Sequence, residues 1–172
     1  MKSSSQTNQR IMIFIDNSNI FKGFKKYKMK ADYEKLKVII ADGRKLEGIF
    51  LYEGIVYPLS RKKKKWYKNL SERSGYQIQT SFDKTISHNV FEKKVDVRIA
   101  IDMISFAYEN KYDIAALVSG DGDFLPLIKK LKDLGKIIEV WAFKYSLAYV
   151  LKEIIEPENL FYLDDILNQI QI

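Results

Sequence analysis

The stretch Ser119-Gly120-Asp121-Gly122-Asp123-Phe124 places two carboxylates two residues apart, directly after the apolar run Ile114–Val118. A second apolar run, Ile11–Ile15, ends in Asp16. Short apolar runs of this kind read as buried strands, and open α/β sheets build their sites where such strands stop. Carboxylates gathered at that edge repel one another unless a cation lies between them. The chemistry this favours is binding of Mg²⁺ or Mn²⁺, which take oxygen ligands and keep several waters, so that a few carboxylates suffice. Asp96 joins the set. It lies at the start of Val95–Glu109, where Ile99, Met103, Phe106 and Ala107 form one helical stripe. A right-handed crossover starts that helix at the same edge if the preceding strand is parallel.

Each aspartate also has a plainer role. Asp123 and Asp96 are each placed to cap a helix. Asp16 is expected to keep its carboxylate free, because Asn17 or Ser18 is the more natural cap there. Asp102 lies six residues past Asp96, about 120° around the helix and roughly 9 Å along it. A salt bridge with Arg98 is its simpler role, and it is retained as a supporting polar residue. Asp113 precedes its strand and belongs at the opposite edge. Other chemistries fall away. The chain has no cysteine and one histidine, His88, which excludes thiolate and multi-histidine metal sites. The glycine-rich dinucleotide and phosphate loops are absent. Asp121-Gly122-Asp123 opens like a calcium loop, but Leu125 and Pro126 stand where further ligands would be needed.

The elements that must hold these residues follow from the pattern. Strands are expected at Ile11–Ile15, Ile49–Val56, Tyr76–Thr80, Ile114–Val118, Ile137–Trp141 and Leu160–Tyr162. Helices are expected at Ile20–Tyr27, Tyr33–Ala41, Lys62–Ser74, Val95–Glu109, Phe124–Leu134, Ser146–Ile155 and Asp164–Ile170. Phe82–Lys93 reads as a mobile connector. Alternation of short apolar runs with helical patterns points to a parallel α/β sheet. At 172 residues the chain is expected to form one domain over residues 10–172, after a flexible tail at 1–9. No apolar segment approaches the roughly 20 residues of a membrane span. Met1–Arg10 lacks the apolar core of a signal peptide, so a cytoplasmic location is the expectation.

The net charge is +7, and it is local. Arg61, Lys62, Lys63, Lys64, Lys65, Lys68 and Arg73 face one acid, Glu72, within Arg61–Arg73; Ser18–Lys30 adds five lysines, Lys22 and Lys25 among them. Removing both stretches from the 29 basic and 22 acidic residues leaves 17 and 21. Concentrated basicity marks a polyanion-binding surface, with a solvated helix face as the alternative. Trp66 and Tyr67 lie among these charges, where they are expected to stack on bases.

Three blocks, Phe14-Ile15-Asp16-Asn17-Ser18-Asn19, Lys94-Val95-Asp96-Val97-Arg98 with Ile101-Asp102-Met103, and Val118–Phe124, together resemble the NYN domain. The likeness is to its LabA-like branch within the PIN-like nuclease superfamily. The resemblance spans about residues 10–165 and implies a PIN-like three-layer α/β/α sandwich, with a mainly parallel central sheet of five to six strands. It further implies an Mg²⁺ or Mn²⁺ site and cleavage of RNA phosphodiesters. By position, Asp16, Asp96, Asp121 and Asp123 would be the metal-site and catalytic carboxylates, with Asn19 and Ser119 as polar supports. The expected function is a metal-dependent endoribonuclease whose lysines hold the RNA backbone. The alternatives are an RNA-binding regulatory domain with little or no turnover, or a DNA nuclease or phosphatase using the same metal chemistry. A homo-oligomer or a protein partner would be a further source of specificity.

Overall fold

The computed structural model describes residues 8–55, 58–82 and 88–172, with only the backbone described at 82 and at 88–93. Six strands form one parallel sheet: β1 (Arg10–Asp16), β2 (Lys45–Ile55), β3 (Gln77–Phe82), β4 (Ile114–Val118), β5 (Ile137–Ala142) and β6 (Leu160–Tyr162). Their spatial order is β3-β2-β1-β4-β5-β6, and every neighbouring pair is parallel. All five residues of β4 and the last six of β1 are buried, as expected of strands covered on both faces.

Alternate strand residues serve the two covering layers. Phe14, Phe50, Leu117 and Val140 pack with Ile99 and Met103 of α4 (His88–Tyr108), Leu127 and Leu131 of α5 (Leu125–Asp133), and Leu151 of α6 (Tyr149–Ile154). Ile13, Ile15, Leu51 and Val118 pack instead with α1 (Asn17–Lys26), α2 (Tyr33–Ala41), α3 (Arg61–Ser74) and the C-terminal α7 (Leu167–Ile170). The result is a three-layer α/β/α sandwich. From β1 the chain steps through β2 to β3 on one side, and from β4 through β5 to β6 on the other. The segments leaving β1 and β4 therefore diverge and open a crevice at the strands' carboxyl ends.

Several boundaries differ from the sequence expectation. β2 begins at Lys45, four residues before Ile49, because Lys45–Gly48 extends the ladder through alternately exposed polar positions. β3 runs on through Ser81 and Phe82. The expected connector is helical from His88 onward. Asp96 therefore lies in the third turn of α4, past the four orphan amides of a helix start, and its capping role is excluded. The expected helix at Ser146 begins at Tyr149, because the amides of Ser146 and Leu147 turn back on the Phe143 carbonyl. The last helix opens with a 3₁₀ turn, Leu163–Ile166. The Gln9 carbonyl accepts from the Lys45 amide at 3.1 Å, so Gln9 belongs to the sheet's start. The rest of the expected tail up to residue 7, Val56 and residues 83–87 lie outside the described residues.

At the opposite edge Asp113 accepts from Arg10, both from its backbone amide at 2.9 Å and from its guanidinium at 2.7 Å. A buried pair, Arg44 with Glu139, ties α2 to β5. The Arg44 guanidinium also donates to the carbonyls of Ile40 at 2.7 Å and Ala41 at 3.1 Å, and the Trp141 indole donates to Glu139 at 3.2 Å. Removing one member of a buried pair strands the other charge, at a cost of about 3–5 kcal/mol. Urea denaturation of Glu139→Leu should show a loss in that range. A loss below about 1 kcal/mol would mean that Arg44 finds water instead.

Candidate metal centre

Asp16 ends β1 at the crevice and is 4% exposed. It is itself the N-cap of α1, which corrects the expectation that Asn17 or Ser18 would take that role. Its Oδ1 accepts from the Asn19 amide at 3.2 Å, and its Oδ2 accepts from the Ser119 hydroxyl at 3.0 Å. Burial pushes the Asp16 carboxyl up to about 6; the two hydrogen bonds and Lys22 oppose the rise, and the Asp121 charge adds to it. Asn17 is fully buried on the far side of this cap, where its side-chain carbonyl accepts from the Tyr33 hydroxyl at 2.6 Å.

The end of β4 is stitched to α1 through the same groups. The buried Ser119 hydroxyl accepts from the Asp121 amide at 3.3 Å while donating to Asp16. The Asn19 side-chain carbonyl accepts from the Gly120 amide at 3.3 Å. Gly120 is needed for space. A Cβ there would lie 2.6 Å from the Ser146 carbonyl oxygen and 3.0 Å from the Leu147 Cα, both backbone atoms that cannot yield. Neither Gly120 nor Gly122 has a positive φ, so neither supplies a special turn. Asp121, rather than Asp123, is the cap of the short 3₁₀ turn Gly122–Phe124, accepting from the Asp123 amide at 2.9 Å.

These constraints bring Asp96, Asp121 and Asp123 together. One carboxylate oxygen from each lies within 4.8 Å of the other two. Asp96 and Asp121 are half-buried and Asp123 is exposed. Asp16 stands beside this trio. With Ser18, Asn19, Lys22, Asp96 and Asp121 it lines a cleft of about 40 Å³, which is room for an ion and a water. The donors are all oxygens on a spacing one ion can bridge, so the residues fit a hard divalent cation. Asp102 lies elsewhere, accepting from the Tyr52 hydroxyl at 3.0 Å and pairing with Arg98 at 3.4 Å. It supports the α4–β2 contact, and not the trio.

The basic residues divide as well. α3 joins two parallel strands, so it must run back from the carboxyl edge, and Arg61–Lys65 therefore begin at the edge that carries the aspartates. Arg61, Lys62, Lys64 and Lys65 are exposed, as are Lys68, Lys22 and Lys25. Arg73 lies at the other end of α3, ~18 Å along the axis. Cations in the first turn oppose the helix dipole, and they sum with it to concentrate positive potential there. Lys63 is drawn inward, 2.7 Å from Glu53 and over the Trp66 and Tyr67 rings. Those two aromatics are half-buried and already engaged within the fold. Trp66 packs edge-on against Tyr33 with centroids 5.3 Å apart, and the Tyr67 hydroxyl donates to Glu53 at 2.6 Å. Sequence reasoning missed the groove lined by Val97, Ala100, Ile104 and Leu127 beside the trio. Its two walls are helices separated along the chain, and each wall alone looks like core.

Among the described residues, no helix is long and apolar enough to cross a membrane. The chain is 28% identical over 131 residues to the Low amplitude and bright protein LabA of Synechococcus elongatus, covering 72% of this chain and 68% of that protein. A crystal structure of a Vibrio parahaemolyticus protein of unknown function superposes with a TM-score of 0.80 over all of both chains, at 20% identity. That likeness shows a shared fold. The family model of the NYN domain, which has a PIN-like nuclease fold, matches residues 10–156. With that match spanning both strands of the crevice and all four aspartates, the chain belongs to the NYN domain family.

Proposed function

We propose that this chain is a divalent-metal-dependent endoribonuclease. The observation that carries the reading is the convergence of Asp96, Asp121 and Asp123 within 4.8 Å, at the crevice between β1 and β4. Asp96, Asp121 and Asp123 would hold Mg²⁺ or Mn²⁺, with Asp16 at the buried side of the same cleft. Such an ion, when bound, supplies Lewis-acid polarisation of a phosphoryl oxygen and an acidified water. Asp16 is fixed by the Asn19 amide and the Ser119 hydroxyl, so its carboxylate is positioned before any substrate arrives. Its depth keeps bulk water from that side. Lys22 lines the cleft and offers a cation to a phosphate. The exposed lysines at the start of α3 hold the RNA backbone electrostatically and carry no base preference.

Two measurements test this reading. Neutralising one carboxylate of a crowded trio relieves repulsion in the metal-free protein and removes a ligand from the loaded one. Asp121→Asn keeps a competent cap. Its melting temperature in EDTA should therefore equal or exceed that of the parent. The parent should gain about 2.7 kcal/mol of stability at Mn²⁺ a hundredfold above Kd, a gain the variant lacks. Equal stabilisation of both by Mn²⁺ would place the ion elsewhere.

On 5′-labelled RNA with Mn²⁺, the parent should cleave internally, and Asp96→Asn and Asp121→Asn should each lower the rate by at least about 100-fold. Cleavage that survives both substitutions contradicts the proposal, and metal-independent binding without cleavage favours a regulatory RNA-binding role. Replacing Lys62, Lys64 and Lys65 by Ala should reduce the slope of log affinity against log salt by about 2 for single-stranded RNA. An unchanged slope removes α3 from the RNA path.

A further inference from the structure

Beside the carboxylate trio runs an open groove of about 430 Å³ between α4 and α5. Asp96 and Asp123 stand in its lining, so two of the three clustered carboxylates belong to both the groove and the candidate metal centre. The rest of the lining is apolar. Val97, Ala100 and Ile104 form the α4 wall, Pro126 and Leu127 the α5 wall, and Phe124, 2% exposed, closes the floor. The volume falls within the ~300–1,000 Å³ of pockets that enclose small organic groups.

We infer that this groove receives the unpaired base and sugar of the nucleotide next to the scissile phosphate. The inference rests on the nuclease reading above. A phosphodiester held at Asp96 and Asp123 delivers its attached nucleoside directly to the groove, since the two are continuous. Aliphatic walls accept the flat face of any base. Among the described residues, the only polar side chains in the lining are the two carboxylates that would hold the cation, so none of these is left to read a base edge. The groove therefore selects for an accessible base, not for a particular one. A base stacked and paired in a helix cannot enter without being extruded. In α3 the Trp66 and Tyr67 rings already pack against Tyr33 and bond Glu53; α3 contributes charge and the groove contributes apolar contact. The competing occupant is a second copy of this chain, seated on the exposed Val97, Ile101 and Tyr108 of α4.

The test is binding of a fluorescein-labelled single-stranded 12-mer RNA, read by anisotropy with Ca²⁺ in place of Mn²⁺, alongside an abasic scan of the same RNA. In the parent protein, removing one base should weaken binding about tenfold while its neighbours matter little. Placing that base in a hairpin stem should cost a similar factor. In Ala100→Trp, which fills the groove, intact RNA should bind about tenfold more weakly and the sensitive position should disappear. Equal binding of every abasic RNA by the parent overturns the inference, and it needs no variant to fold. A dimer in sedimentation that Val97→Lys dissociates also overturns it, since the groove face is then covered. The two levels fail separately. Mn²⁺-dependent cleavage without a base-sensitive position removes the groove and leaves the nuclease. Base-sensitive binding without cleavage removes the nuclease and leaves the groove.

Discussion

The reversal of strand order between β1 and β4 is the constraint on which the rest depends. Strands that step outward in opposite directions send their following segments to opposite faces of the sheet, and only at that reversal does the carboxyl edge stay open. Asp16 at the end of β1 and Ser119–Asp123 after β4 are therefore neighbours by topology, although more than a hundred residues separate them in sequence. The third contributor, Asp96, arrives from α4, the one helix that crosses from the β3 side of the sheet to β4. Three parts of the chain meet because one crossover spans the switch.

Meeting there has an electrostatic cost that the surrounding structure offsets locally. Asp16 is buried, which disfavours its charge and raises its proton affinity; the Asn19 amide and the Ser119 hydroxyl return part of what water would have given it. Ser119 serves both sides of the crevice, donating to Asp16 and accepting from the Asp121 amide. The close approach of the Ser146–Leu147 backbone to Gly120 locks the loop that carries Asp121. A divalent cation would offset the mutual repulsion of Asp96, Asp121 and Asp123, leaving one net negative charge. Asp121 both caps the turn after β4 and stands in the trio. Local stability and the proposed chemistry therefore share that carboxylate.

The strands were legible because β1 and β4 are apolar on both faces, and the carboxylates because they interrupt such runs. What could not be seen was partnership across distance. Trp66 and Tyr67 look available in a lysine-rich helix, and only the fold brings Tyr33 and Glu53 against them. The first turns of α4 were hidden by their polar composition, so Asp96 looked like a helix start when it is an interior position. Asp16 looked free of capping because Asn17 and Ser18 stand between it and the helical pattern, yet Asn17 is bonded by Tyr33. Gly120 is set by its neighbour, the Ser146–Leu147 backbone, which no local pattern announces. The groove between α4 and α5 needs both helices to exist at all.

A single ion held by the clustered carboxylates is the central requirement of the proposed chemistry. Anomalous diffraction at the manganese edge, from crystals soaked in Mn²⁺, measures this directly. One peak within about 2.0–2.3 Å of oxygens from Asp96, Asp121 and Asp123, at the mouth of the Asp16 cleft, is the predicted result. A peak at other surface acids, or three carboxylates left without one at saturating Mn²⁺, would contradict it.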